Sequence, residues 1–101
     1  MRILLILSVA LAASAGSSPA GDLIRRACLK AGRSGATPEL CRCIQKVADS
    51  RLRRADQKLA ASFFRDPHKA QVIRQSDRPA HEVFWNRYKA WGAAAEEDCG
   101  S

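Results

Sequence analysis

The residues of this chain best equipped for chemistry are its four cysteines, Cys28, Cys41, Cys43 and Cys99. Such a set could ligate a metal, cycle as a redox pair or form two structural disulfides. Zinc ligands usually pair at a C-x-x-C-like separation, whereas Cys41 and Cys43 enclose only Arg42. A thioredoxin-like motif likewise needs two intervening residues and a βαβ setting, and neither is present. The four are therefore expected to be spent in disulfides, leaving no metal site and no thiol nucleophile. On a helix, Cys41 and Cys43 stand roughly 200° apart, so their sulfurs leave opposite flanks and must reach different partners. Two pairings meet that condition: Cys28–Cys41 with Cys43–Cys99, or Cys28–Cys43 with Cys41–Cys99. Their spacing does not separate them.

The other candidates argue against catalysis. His68 and His81 each stand in the first turn of an expected helix, just after Pro67 and Pro79, and read as surface residues. No serine sits in a Gly-x-Ser-x-Gly elbow, no Gly-rich loop follows a strand, and no carboxylate pair stands out. The acidic residues concentrate at expected helix starts (Asp22, Glu39, Asp56, Asp66, Asp77, Glu82), where a negative charge favours the helix dipole. The expectation is a protein that is not an enzyme and carries no cofactor. A binding surface is better marked. Arg51, Arg53 and Arg54, followed by Lys58 and Arg65, form a basic stretch in which Arg54, Lys58 and Arg65 can share a helix face. Guanidinium groups match phosphate and carboxylate geometry, which suits an anionic partner. Trp85, off the main apolar stripe of its helix, is a weaker candidate for a partner contact.

These residues must be positioned by helices, because no stretch shows the period-two alternation of a strand. The first helix is expected over 22–31, capped by Asp22 and stopped by Gly32, with Ile24, Ala27, Cys28 and Ala31 on its buried stripe. Thr37 caps the second, with Pro38 at its first position. Its stripe runs through Leu40, Ile44, Val47, Ala48, Ala55 and Leu59. A bend or restart is expected near Arg53-Arg54-Ala55, with Asp56 as a candidate cap, and Phe63 and Phe64 follow as core bulk. Asp66-Pro67 opens a short helix over 67–75 that buries Val72 and Ile73. Asp77-Arg78-Pro79 repeats the device for a last helix over 79–98. Phe84, Tyr88, Trp91 and Ala95 recur there at steps of four, three and four, and Cys99 extends the face. The fold is expected to be all-α, a small bundle of about four or five helices stapled by two disulfides.

The chain has 101 residues. Residues 1–20 read as a secretory signal peptide: Arg2, then an apolar run over 3–13, then small residues offering cleavage after Ala15 or Ala20. The second site is favoured, because the first leaves almost no polar stretch after the apolar run. That run is shorter than the roughly 20 residues of a transmembrane helix. Residues 21–101 are enough for a single helical domain. All four cysteines fall there, as the oxidising periplasm or exterior permits. Setting Arg2 aside, the 17 Lys and Arg become 16 against 10 Asp and Glu, a net charge of +6. For an exported protein this balance favours anionic lipid headgroups, polysaccharide or an acidic protein over nucleic acid as the partner.

Several segments together carry a family resemblance. They are Cys41-Arg42-Cys43-Ile44-Gln45, Phe64-x-Asp66-Pro67-His68-Lys69-Ala70-Gln71, Arg74-Gln75-Ser76-Asp77 and Phe84-Trp85-x-x-Tyr88. This pattern resembles a group of small exported helical proteins of alphaproteobacteria, sometimes labelled "arginine transporter", over nearly all of residues 21–101. A transporter must span a membrane, and the only apolar run here is the signal. The resemblance therefore implies at most a soluble accessory role in uptake, and it assigns no catalytic or binding residue. Two expectations result. One is a non-catalytic cell-envelope accessory or interaction protein, docking on an anionic partner through its basic helix face. The alternative is an accessory to uptake of a basic or small polar solute, which would need a pocket with inward carboxylates drawn from Glu39, Asp49, Asp56 and Glu82.

Overall fold

Where each helix begins and ends follows from which side chains satisfy its free backbone groups. A computed structural model describes residues 21–100, and the expected signal over 1–20 lies outside the described residues. Five helices follow in order, α1 (Leu23–Ala31), α2 (Pro38–Arg51), α3 (Arg54–Arg65), α4 (Pro67–Arg74) and α5 (Pro79–Cys99). Among the described residues there is no strand, so the protein is a small all-α bundle. No helix among them is long and apolar enough to cross a membrane.

The α2 start forms as its sequence predicts. Thr37 Oγ1 accepts the Leu40 N–H at 3.1 Å, and Pro38 takes the first helical position. Gly32 ends α1 in the left-handed region at φ 59°, its N–H donating to the Leu29 carbonyl. The aspartate caps are largely corrected. Asp22 occupies the N-cap position of α1, yet its side chain caps nothing and turns to Arg25 at 3.3 Å. It has no vacancy to fill, because Gln45 Oε1 of α2 already accepts the N–H groups of Ile24 (2.7 Å) and Arg25 (2.9 Å). Asp66 closes α3 and opens α4 at once, and it is its carbonyl, not its carboxylate, that accepts the Lys69 N–H. Asp77 lies one residue too early. Arg78 is the N-cap of α5, and Ser76 Oγ accepts its N–H at 3.1 Å while also bonding His81 Nδ1 at 2.7 Å. Asp56 does cap, but from the third position of α3, where Oδ2 accepts the Arg53 N–H at 3.2 Å.

The expected restart near Arg53 is a full break. Leu52 leaves the helical path in an extended conformation and buries its side chain, and α3 then starts with a new rotational phase. For that reason Ala55, expected on a continuous stripe, is exposed, while Asp56, Gln57, Ala60 and Ala61 face inward. Val72 is corrected too. In the short α4 only Ile73 is buried, and Val72, about 100° away, remains 52% exposed.

The disulfides are Cys28–Cys41 and Cys43–Cys99, with Cα atoms 5.6 and 5.9 Å apart. The first joins α1 to α2, the second α2 to the end of α5. Neighbouring helices close a ring: α1 lies against α2, α2 against α5, α5 against α4, α4 against α3, and α3 against α1. Ile24, Val47, Ala48, Leu52, Phe63 and Trp91 are among the residues that fill its centre. On α5 the stripe lands as expected. Phe84 and Trp91 are buried, and Tyr88 lies between them with Phe63 edge-on at 5.3 Å. Trp91 Nε1 donates to the Ile44 carbonyl at 3.0 Å, so the indole's polar atom is satisfied inside the core.

Two buried polar devices hold the ring in register. Gln45 and Gln57, 4% and 1% exposed, bond each other at 2.9 Å and both donate to Asp49 Oδ1. Gln57 also donates to the carbonyls of Ala48 and Leu52, satisfying the α2 end at the break. On the other side, Arg87 of α5 grips Asp56 with two bonds of 2.8 and 2.9 Å. Burial by itself would raise the Asp56 carboxyl. The bonds from Arg87 and the Arg53 backbone, with both arginine charges, outweigh that and hold it below its ordinary value.

Candidate anion-binding groove

On α1, Ile24 and Cys28 face the core, which leaves Ala27 and Ala31 half-buried at the shoulder and Arg26 and Lys30 beyond it. On α3, Ala60 and Ala61 are among the buried residues, and the exposed Lys58 and Arg65 flank them. Alanines on both helices bring the backbones close while leaving hollow space above them. The result is two adjoining hollows along the α1–α3 seam. One, of about 370 Å³, is lined by Leu23, Arg26, Ala27, Lys30, Lys58, Ala61 and Arg65. The next, of about 290 Å³, shares Ala27, Lys30 and Arg65 and adds Ala31 and Phe64. Arg33 closes that end, donating to the Phe64 carbonyl at 3.3 Å.

Four cations thus stand around one groove. Among the described residues the ion pairs are Arg25–Asp22, Arg53–Asp56 and Arg87–Asp56, so no carboxylate neutralises Arg26, Lys30, Lys58 or Arg65. Their charges act together on whatever enters the seam.

The basic stretch expected from the sequence is divided by the fold. Lys58 and Arg65 reach the groove, and Arg54 lies one turn before Lys58 on the same face of α3. Arg53 is held 3.7 Å from Asp56 at the helix start. Arg51 is on the other flank, in an open hollow between α2 and α5 of about 540 Å³ that Glu96 and Glu97 also line. Arg51 and Arg53 therefore do not join the rest, Arg51 because the break at Leu52 leaves it on α2, Arg53 because it is the N-cap of α3 and is held at Asp56. The residues that sequence reasoning missed are Arg26 and Lys30. Their spacing of four on α1, beside small residues, was visible, but nothing in the sequence says that α1 lies against α3.

Comparison with protein-family models, with curated proteins and with solved structures gives no match. The reading of this chain therefore rests on its own geometry.

That geometry contains little else that could do chemistry. Among the described residues no cysteine is free and no group of histidine, cysteine and carboxylate side chains could hold a metal ion. The carboxylates needed for a basic solute do not converge. Glu39 and Glu82 are exposed on different helices. Asp49 is engaged by Gln45 and Gln57, and Asp56 by Arg87 and the Arg53 backbone. His68 is exposed, and His81 is occupied with Ser76 in the turn before α5. Trp85 is half-buried and stacks on Tyr88 at a centroid separation of 4.9 Å, which gives its ring a partner within the fold.

Proposed function

We propose that this is an exported, non-catalytic accessory protein of the cell envelope that docks on an anionic partner through the groove between α1 and α3. The observation that carries the reading is the convergence of Arg26, Lys30, Lys58 and Arg65, with no carboxylate pairing them among the described residues, on one seam. The two disulfides fit an oxidising, non-cytoplasmic compartment, and they agree with the signal expected over residues 1–20. The resemblance read from the sequence motifs, to small exported proteins of alphaproteobacteria, would agree with that compartment. The alternative, an accessory to solute uptake, has no comparable support, since the carboxylates it needs are either exposed singly or already bonded.

Net charge alone would bind any anionic surface weakly, so the test compares two variants of equal charge. Lys58→Gln with Arg65→Gln alters the groove; Lys46→Gln with Arg51→Gln removes as much charge from α2. Retention on a polyanionic matrix should fall steeply with added salt, and it should fall much further for the groove variant than for the α2 variant. Equal losses would reduce the groove to one part of a diffuse positive field and overturn the assignment.

A further inference from the structure

We infer that the partner of the groove is the headgroup layer of an anionic phospholipid bilayer, an inference that rests on the anion-docking reading above. The selecting observation is what the groove lacks between its charges. Arg26, Lys30, Lys58 and Arg65 stand around a floor of alanine methyls with Leu23 and Phe64. Among the described residues, neither hollow has a hydroxyl, amide or carboxylate side chain in its lining.

That composition discriminates among polyanions. A polysaccharide presents hydroxyls along its whole length, and sites that recognise one supply side-chain acceptors as well as the donors that Arg and Lys already provide. An acidic peptide brings backbone amides with the same demand. A phospholipid surface presents phosphates over acyl chains, which matches cations over hydrocarbon.

The experiment is co-sedimentation of the disulfide-bonded protein, as recovered from the producing cell, with two kinds of vesicle. One is phosphatidylcholine alone; the other contains phosphatidylglycerol as well. Polyglutamate and a sulfated polysaccharide at matched charge serve as the other arms. The expected result is preferential binding to the phosphatidylglycerol vesicles. Lys30→Gln with Lys58→Gln should reduce that preference about 25-fold, at on the order of fivefold per cation. Both are exposed positions, and far-ultraviolet circular dichroism confirms that the variant is folded. Binding to polyglutamate or the polysaccharide with no preference for anionic vesicles would overturn the lipid assignment and leave the anion-docking reading standing. Binding to none of the polyanions would overturn both. Preference for anionic vesicles that is unchanged in the variant would overturn the groove as the lipid site.

Discussion

Arginine and lysine are used in opposite ways on the two sides of α3. Toward α5, Arg87 is gripped by the buried carboxylate of Asp56, and next to that pair Phe63, Phe84 and Tyr88 pack ring against ring. Toward α1 the seam is built of alanines, and its four cations have no carboxylate partner among the described residues. The first seam has its charge cancelled and its volume filled, so it holds elements in place. The second has neither, so it remains open to a partner. One residue class serves structure or recognition according to whether a counter-charge is supplied from within the chain.

The contrast can be broken in order of expected size. Cys43→Ser with Cys99→Ser removes the longer staple, whose separation of 56 residues makes it the more stabilising of the two. On the chain-entropy model it should cost about 4 kcal/mol, against about 3 kcal/mol for Cys28–Cys41. Denaturant unfolding should show that difference, and a smaller loss for the longer bridge would mean that residual order in the unfolded chain dominates. Gln45→Leu removes the acceptor for the Ile24 and Arg25 N–H groups, leaving the first buried. It should cost about 3 kcal/mol and loosen α1 selectively, seen as early amide exchange over residues 23–31.

Asp56→Ala strikes the filled seam, removing both the cap on α3 and the partner of Arg87, and should cost on the order of 2 kcal/mol. Its pH signature has a definite sign. Because the folded carboxyl is held below its ordinary value, its contribution is present above the unfolded value and is lost as pH falls through the folded one. Wild type should therefore lose stability in acid faster than Asp56→Ala, and parallel acid profiles would rule the pair out as the cause. The smallest stability effect belongs to the open seam. Lys58→Gln with Arg65→Gln should stay within about 0.5 kcal/mol of wild type while losing anion binding. A stability loss as large as that of Asp56→Ala would make this seam structural as well.

Sequence patterning conveyed the helical class, all four disulfide cysteines and the α5 stripe, because period and composition are local properties. It did not convey the disulfide pairing, since Cys41 and Cys43 flank one helix symmetrically with respect to that information. The groove was half legible. Lys58 and Arg65 were found on the face of α3 they do occupy, but grouped with Arg51, which the turn at Leu52 separates from α3, and with Arg53, which is held at Asp56. Arg26 and Lys30 needed the packing of α1 against α3, a tertiary fact. Of the expected aspartate caps Asp56 does cap, and Asp22 failed for a related reason. Asp22 stands where a cap belongs, but Gln45, some twenty residues later, had taken its place.

That substitution has a consequence for the order of events as the chain is made. A nine-residue helix on its own is marginal in water, and the N-terminus of α1 has no side-chain cap of its own making. It is therefore completed only when Gln45 arrives on α2, so one wall of the groove, although synthesised first, waits for the second helix before it exists. A ribosome-bound chain stalled before residue 45 should expose α1 to protease, and one stalled after α2 has emerged should protect it.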